Sequence, residues 1–327
     1  MTPAIALLGD VMLGRSVAGR LAETAPEDLW APELRELCRS CDLVVCNLEC
    51  CISGRGAPTE RVRGKPFFFR GPPDAVRSLE AIGVGAVSLA NNHALDYETE
   101  ALVETLELLD AAGIVVAGSG RDVRRARKAV TLEVAGTRVG LAAMTDHPSE
   151  FAAGEHEPGV AHADLSAGIP DWLRAELAHV RKECDWLIAF PHWGPNMATE
   201  PARWQRKAGA ALQGAGADLV AGHSAHVFHG VGWGARGPLV FDLGDGLDDY
   251  RVDARLRNDL GLMAIWRPGD PECELELVGL DLDFCFTRIA AGPAADWIAS
   301  RLEDACGGLG TSVERRSDGR FSIRRVD

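Results

Sequence analysis

Short apolar runs alternate with amphipathic segments along the first half of the chain, and this alternation is typical of β-α units around a buried sheet. The predicted strands cover residues 4–9, 42–48, 84–90 and 113–117. The predicted helices between them cover residues 27–40, 73–82 and 98–112. Two further apolar segments, 129–135 and 138–144, are joined at Gly136-Thr137 and predict a hairpin that extends this sheet.

A second set of elements repeats the same order of apolar runs and polar ends. It comprises predicted helices at 170–183 and 202–215 and predicted strands at 185–191, 217–222, 229–233 and 238–243. The pattern indicates an α/β fold in which two sheets pack together with helices outside. Smaller α+β elements follow, with strands at 260–266 and 274–282, a helix at 293–304 and a hairpin at 311–325. We therefore expect a main domain over residues 1–268 and an appendage over residues 269–327 that packs on it.

Composition and charge narrow the possible functions. Hydrophobic residues make up 46% and charged residues 25% of the chain, which is ordinary globular composition. The formal net charge of -14 argues against a general nucleic-acid binder, because phosphate contacts need a concentrated positive field. An anionic substrate remains compatible with this charge, since Arg61, Arg63, Lys65 and Arg70 cluster in one segment. That segment is either a solvated loop or a surface that contacts substrate.

The start of the chain and its cysteines predict a location. Residues 4–8 form an apolar run that directly follows Met1-Thr2-Pro3 and is too short for a signal-peptide core or a membrane span. The nine cysteines are odd in number and scattered, which favours reduced thiols. We therefore expect a cytoplasmic protein without a membrane partner, and the sequence indicates no oligomeric state.

Apolar runs that end in residues of metal-ligand type recur along the chain. They end in Asp10, in Glu49, in Asn92 and His93, in His192, and in His223 and His226. A single such residue is usually a helix cap or a hydrogen-bonded polar side chain, but the repetition in sheet order points to one shared site. Carboxylate and imidazole ligands together favour manganese, iron or zinc over calcium or magnesium. The sequence therefore predicts a site for divalent transition metals.

The same segments carry a family resemblance. They read Gly9-Asp10-Val11-Met12-Leu13-Gly14, Asn47-Leu48-Glu49, Lys65-Pro66-Phe67-Phe68-Phe69-Arg70, Ala90-Asn91-Asn92-His93-Ala94-Leu95-Asp96-Tyr97, His192-Trp193-Gly194, and Gly222-His223 through Val227. Taken together they resemble the capsule-synthesis CapA (PgsA-like) family of the calcineurin-like metallophosphatase superfamily. The resemblance extends from about residue 4 to residue 265. It implies a four-layer α/β/β/α sandwich with a two-metal site at the sheet ends.

The resemblance also implies a role for each matching residue. Asp10, Glu49 and His226 would hold one metal. Glu49, Asn92, His192 and His223 would hold the other, so that Glu49 takes the place of the superfamily's bridging aspartate. His93 would act as the general acid, with Asp96 orienting it. Lys65 and Arg70 are candidates for recognising anionic groups of the substrate.

Three positions depart from the pattern of the resembled families. Met12 stands where metallophosphatases usually have a histidine ligand, so the first metal would have one protein ligand fewer. Asn196 stands where a glutamate is often found, and Asp245 replaces an expected asparagine. Outside the motifs, His147 also follows a strand end, where it could contact substrate or take part in a turn.

These observations favour an enzyme, a binuclear metal-dependent hydrolase acting on a phosphoester or an amide of an anionic small-molecule or peptide-like substrate. An amide-forming or cyclising enzyme for carboxylate-rich γ-glutamyl or peptide-like substrates would use the same site. A non-catalytic protein of polyglutamate or capsule assembly is the alternative from another class. Such a binder would not need the pair formed by His93 and Asp96.

Overall fold

The computed structural model describes residues 2–271 and 274–326. Its strands are Ile5–Val11 (β1), Leu43–Leu48 (β2), Cys51–Ile52 (β3), Arg70–Gly71 (β4), Val84–Ser88 (β5), Val115–Ala117 (β6), Ser119–Gly120 (β7), Val130–Val134 (β8), Thr137–Thr145 (β9), Gly159–Val160 (β10), Trp186–His192 (β11), Leu219–Ala221 (β12), Val231–Trp233 (β13), Pro238–Val240 (β14), Asp245–Leu247 (β15), Leu260–Trp266 (β16), Leu275–Asp283 (β17), Phe286–Ile289 (β18), Thr311–Arg315 (β19) and Phe321–Arg325 (β20).

The helices are Arg15–Leu21 (α1), Pro32–Arg39 (α2), Val76–Ala81 (α3), Glu98–Ala111 (α4), Val123–Arg127 (α5), Asp171–Val180 (α6), Arg203–Gly214 (α7) and Gly292–Gly307 (α8). Of the eight helices in the described residues, six lie where the apolar pattern predicts a helix, and two short ones, α1 and α5, were not predicted. Within the described ranges, none of the helices combines the length and the apolar character that crossing a membrane requires.

Two large sheets organise the fold. The larger sheet has the strand order β19-β20-β17-β16-β1-β2-β5-β6, with β15 paired to β1 and β18 paired to β17. The smaller sheet has the order β13-β14-β12-β11-β9-β8. The run β1-β2-β5-β6 is parallel, and so is β9-β11-β12. The carboxyl ends of several strands therefore share an edge in each sheet.

Apolar cores cover both faces of the sheets. Leu7 of β1 packs in the same core as Phe190 of β11, which places this core between the two sheets. The next residue, Leu8, points to the opposite face and shares a core with Leu34 of α2. A third core joins the outer face of the smaller sheet to α6 and α7. Because both faces of β1 are covered, its sequence is a continuous apolar run instead of an alternating one.

The predicted α/β class is confirmed, but the predicted hairpin at 129–144 belongs to a different sheet. Strands β8 and β9 lie in the smaller sheet, where β9 pairs with β11 from Val139 to Thr145. The local pattern predicts a strand but not its partner, because the partner depends on long-range packing. The helix predicted at 27–40 is also divided, since a 3-10 turn at Pro26–Leu29 precedes α2, which restarts at Pro32.

The C-terminal strands continue the larger sheet. Strand β16 pairs antiparallel with β1 on one side and with β17 on the other, and β17 pairs with β20. The predicted division between residues 268 and 269 stays a prediction.

Gly9 permits a close approach that positions the strand end carrying Asp10. A Cβ atom at Gly9 would lie 1.8 Å from the carbonyl oxygen of Gly244. We expect Gly9→Ala to lower the free energy of unfolding by about 2–3 kcal/mol, because backbone would have to move to relieve the overlap. Gly19→Ala in α1 is the control, since nothing lies within 4 Å of that Cβ position. Urea unfolding of both variants measures the difference, and equal midpoints would refute the steric argument.

Candidate metal centre

Polar side chains converge where the parallel strands of both sheets end. Asp10 lies near the end of β1, Glu49 follows β2, His192 ends β11 and His223 follows β12, and all four residues are buried. The backbone joins these ends, because His192 forms a bridge with His223 and Asp10 is paired with Asp245 at the start of β15. The strand ends of open α/β sheets are the usual place for ligands, and here two such edges meet.

The first group of possible metal ligands consists of Asp10, His192 and His223. One donor atom from each residue lies within 4.8 Å of the others. Nδ1 of His223 is 3.0 Å from Oδ1 of Asp10 and 2.9 Å from Nδ1 of His192. Asn92 borders the group, because its Oδ1 is 3.0 Å from Nε2 of His192. This mixture of imidazole, carboxylate and amide donors suits a transition metal.

The second group consists of Asp10, Glu49, His226 and Asp245, again with donor atoms within 4.8 Å of one another. Nδ1 of His226 lies 2.8 Å from Oδ1 of Asp245 and 3.6 Å from Oδ2 of Asp10. Its Nε2 faces Oε1 of Glu49 at 3.9 Å. Asp10 is thus the residue common to both groups, whereas the resemblance assigns the shared position to Glu49.

Several buried atoms that could bind a metal ion have no hydrogen-bond partner, as is expected of a centre that holds a cation. Among the described residues, Oε1 of Glu49, Nε2 of His223 and Oδ2 of Asp245 are buried without a hydrogen-bond partner. Buried polar atoms are normally paired, and leaving several unpaired in one place is unfavourable. A divalent cation bound by the second group would satisfy the oxygens of Glu49 and Asp245 and offset the charge of the carboxylates.

The carboxylates of the centre experience opposing effects. Burial alone would raise the pKa of Asp10, but the neighbouring imidazoles of His223 and His192 hold that pKa well below its usual range. Burial, followed by repulsion from Asp10, raises the pKa of Glu49 well above its usual range. Asp245 shifts in the same direction as Glu49, because burial and the neighbouring carboxyl of Asp248 raise its pKa. These anions destabilise one another in the absence of a cation.

The loop that carries two of the histidines has a strained backbone. Ser224 has a φ of 117° and His226 a φ of 58°, both in the region that favours glycine. A Cβ at Gly222 would lie 2.3 Å from the carbonyl oxygen of Phe241, so only glycine fits there. Strain of this kind costs about 1–3 kcal/mol per residue and is concentrated at functional sites.

His93 lies beside the second group, and its contacts orient the ring. Its Nδ1 is 2.5 Å from Oδ2 of Asp96, and its Nε2 faces Oε1 of Glu49 at 4.0 Å. The ring stacks on Phe69, with centroids 3.8 Å apart. Burial, together with the nearby ammonium of Lys65, lowers the pKa of His93 well below its usual range. Burial raises the pKa of Asp96 to about 7, although Lys65 opposes that shift.

The three predicted substrate contacts lie at different distances from the centre. Lys65 is at its edge, where Nζ donates to the carbonyl of Asn92 at 2.7 Å and lies 3.1 Å from Oδ1 of Asp96. The ring of His147 lies 5.4 Å from that of His192. Arg70 instead stacks on Tyr97 and donates to backbone carbonyls of the loop at residues 55–56. Contact of these side chains with substrate stays a prediction.

Two residues of the centre were not predicted from the sequence as members of it. Asp245 stands out in the sequence only as a departure from an expected asparagine, yet it supplies a carboxylate to the second group. Tyr250 donates its hydroxyl to Oε2 of Glu49 at 2.8 Å and lies next to His226. The segment Gly244-Asp245-Gly246 after an apolar run is the local signal that could have revealed the first. Tyr250 has no comparable signal in the sequence.

We expect Asp245→Asn to reduce the stabilisation that metal confers on the protein. The substitution removes one anionic donor and also one of the mutually repelling buried carboxylates. Without metal the melting temperature should therefore stay unchanged or rise, whereas the increase produced by Mn²⁺ should shrink. Thermal unfolding with and without Mn²⁺ measures both values, and Asp185→Asn at the surface is the control. An undiminished response to Mn²⁺ in Asp245→Asn would exclude Asp245 as a ligand.

Residues 4–250 match the family described as bacterial capsule synthesis protein PGA_cap. A probable polyglutamine synthesis accessory protein of Mycobacterium tuberculosis is 28% identical over 96% of this chain and 86% of its own length. The PGA biosynthesis protein CapA of Bacillus subtilis is 26% identical over 68% of this chain and 57% of its own length. The capsule biosynthesis protein CapA of Bacillus anthracis is 24% identical over 73% of this chain and 58% of its own length. The resemblance to CapA predicted from the motifs is confirmed.

Proposed function

This chain belongs to the family of bacterial capsule synthesis proteins, and we propose that it is a metal-dependent hydrolase acting on a phosphoester or an amide of an anionic substrate. The observation that carries the proposal is the pair of buried donor groups that share Asp10 beside His93. A structural metal site would not need a histidine whose ring is oriented by a carboxylate and whose other nitrogen faces the ligands. The cofactors we propose are two divalent ions of manganese, iron or zinc.

The proposed fold is the four-layer α/β/β/α sandwich of the metallophosphatases. The core between the two sheets and the helices packed on their outer faces support it.

The residues of the centre divide the chemical work. Asp10, Glu49, His192, His223 and His226, together with Asn92 and Asp245, would hold the ions. When bound, such a pair supplies Lewis acidity that polarises a phosphoryl or carbonyl oxygen and makes water more acidic. In the tautomer that carries its proton on Nδ1, His93 donates a hydrogen bond to Oδ2 of Asp96, and its Nε2 is directed toward the centre. His93 can then exchange a proton with the leaving group, while Asp96 stabilises the charged imidazole.

The proposed substrate carries carboxylates or phosphates. Carboxylate-rich γ-glutamyl or peptide-like chains are the first class to examine, because the names of two relatives refer to PGA biosynthesis and capsule biosynthesis. Because the protein has a net charge of -14, attraction of an anion must come from the bound ions and from nearby basic groups such as Lys65 and Arg70.

Removal and return of metal tests the proposed function. Purified protein is treated with a chelator, restored separately with Mn²⁺, Fe²⁺ or Zn²⁺, and assayed on phosphoesters, peptides and γ-glutamyl amides. We expect turnover of at least one class that disappears with the metal and returns with it. Formation of new amide bonds in the same assay would instead support the cyclising or amide-forming alternative. Failure of every class with fully loaded protein would contradict an enzymatic role.

A second candidate is a non-catalytic role in polymer synthesis, which the word accessory in the name of the mycobacterial relative favours. In that case, polyglutamate should bind the metal-loaded protein without being changed. Substituting His93 should also leave the binding of the polymer unaltered.

A further inference from the structure

Arg15 has a fixed position beside the candidate metal centre. Its Nε lies 3.0 Å from Oδ1 of Asp249, its Nη2 pairs with the same carboxylate, and Asp249 also accepts the backbone N–H of Ser16 at 2.9 Å. The Arg15 side chain is 30% exposed, whereas that of Asp249 is 3% exposed. The carboxylate is therefore buried, whereas the side chain of Arg15 is partly exposed.

Aromatic rings connect this guanidinium to the centre. Cζ of Arg15 lies 4.9 Å from the ring centroid of Phe69 and 5.3 Å from that of Tyr250. Phe69 stacks directly on His93, and Tyr250 donates its hydroxyl to Glu49. A single ring thus separates Arg15 from the proposed acid–base residue, and another separates it from a proposed metal ligand.

The guanidinium of Arg15 keeps a donor for a ligand, whereas Arg61 and Lys65 are held by carboxylates of the protein. Among the described residues, no hydrogen bond is formed by its Nη1. Arg61, by contrast, pairs with both Glu98 and Glu157, and Lys65 pairs with Asp96.

The backbone of Arg15 is also strained, with a φ of 48°. That conformation costs a residue other than glycine about 1–2 kcal/mol. Strained residues are concentrated at functional sites, and Arg15 lies beside the candidate metal centre.

We propose that Arg15 binds a second carboxylate of the substrate, beside the one that lies at the metal centre. The proposal rests on the proposed function and adds to it a second binding position for a chain of repeated carboxylates. Nη1 would donate to the substrate while Asp249 holds the opposite edge of the guanidinium. The exposed ring of Phe67, 5.7 Å from Cζ of Arg15, would line the same position.

Equilibrium binding to the Mn²⁺-loaded protein tests the proposal without requiring turnover. The probes are γ-linked tetraglutamate and single N-acetylglutamate, titrated by calorimetry. We expect Arg15→Gln to weaken binding of the tetramer by about 10- to 100-fold, the range for loss of a hydrogen bond to a charged group, and to change binding of the monomer much less. Asp249→Asn should cause a smaller loss, because Arg15 remains but is less well oriented. The control is Arg138→Gln. Arg138 lies at the start of β9, whereas the end of β9 pairs with His192 at the centre, so this variant should bind the tetramer like the wild type.

Three results would overturn the proposal: failure of the tetramer to bind the wild type, an unchanged affinity in Arg15→Gln, or equal losses of affinity and of melting temperature in Arg15→Gln and Asp249→Asn. The last result would show that the pair only supports the local structure. A loss of tetramer binding in a protein that turns over no substrate would contradict the hydrolase but not the binding position. Turnover by the wild type, together with unchanged tetramer binding in Arg15→Gln, would contradict the binding position but not the hydrolase.

Discussion

Asp10→Ala is expected to lose the ion of the donor group with His192 and His223 and to bind the second ion more weakly, while the protein remains folded. Asp10 is the carboxylate common to the group with His192 and His223 and to the group with Glu49, His226 and Asp245. Its removal leaves the first group with two imidazoles beside the neutral amide of Asn92, too few strong donors for a stable site, and reduces the second group to Glu49, His226 and Asp245. Metal analysis of the purified variant measures the loss, and circular dichroism confirms that the fold is intact.

The Glu49→Ala variant tests whether Asp10 or Glu49 is the carboxylate shared by the two ions. Glu49 is found in the second group only, so the geometry predicts that this variant keeps the ion held by Asp10, His192 and His223. The resemblance to metallophosphatases predicts instead that both ions are lost. The surface variant Asp296→Asn carries a similar change of charge outside the centre and should keep its full metal content. A full complement of ions in Asp10→Ala would remove the basis for a shared carboxylate at this position.

His93→Ala should retain most of the metal but reduce turnover by roughly 10²- to 10⁴-fold, the usual contribution of one acid–base residue. The ring belongs to neither donor group, and its Nδ1 is already occupied by Asp96. Its loss should therefore separate metal binding from catalysis. Because His93 stacks on Phe69, alanine also leaves a cavity, and His93→Gln is the second variant that preserves more of the packing.

His229→Gln is the matched control for this experiment. His229 is a buried histidine whose Nε2 contacts the carbonyl of Ala198, outside both donor groups. Its substitution should leave the turnover rate unchanged. If His93→Gln turns over substrate at the wild-type rate, the proton must come from another group, and His147 beside His192 is the next candidate. If His93→Gln instead loses its metal, His93 supports the metal ligands and does not act as the acid.

The apolar pattern predicted most of the longer strands and helices of this protein and the polar residues at their ends. The run from Ile5 to Leu8 is apolar at every position because β1 is covered on both faces, and the pattern therefore predicted a buried strand. A polar residue directly after such a run is a local signal, so Asp10, Glu49, His192 and His223 could all be selected without coordinates. The family could be recognised for the same reason, since its motifs are short and contiguous.

Which of these residues meet depends on how the strands pair and pack across the fold. The hairpin of β8 and β9 entered the smaller sheet, Asp245 came beside Asp10 through the pairing of β15 with β1, and Tyr250 reached Glu49 from 201 positions away in the chain. Lys65 and Arg70 are close in sequence and similar in charge, yet one ends beside Asp96 and the other on Tyr97. The physical reason is that hydrophobic periodicity records how a segment is buried and not what it is buried against. The partners of a strand, and hence the neighbours of the side chains at its end, are selected by packing across the whole fold.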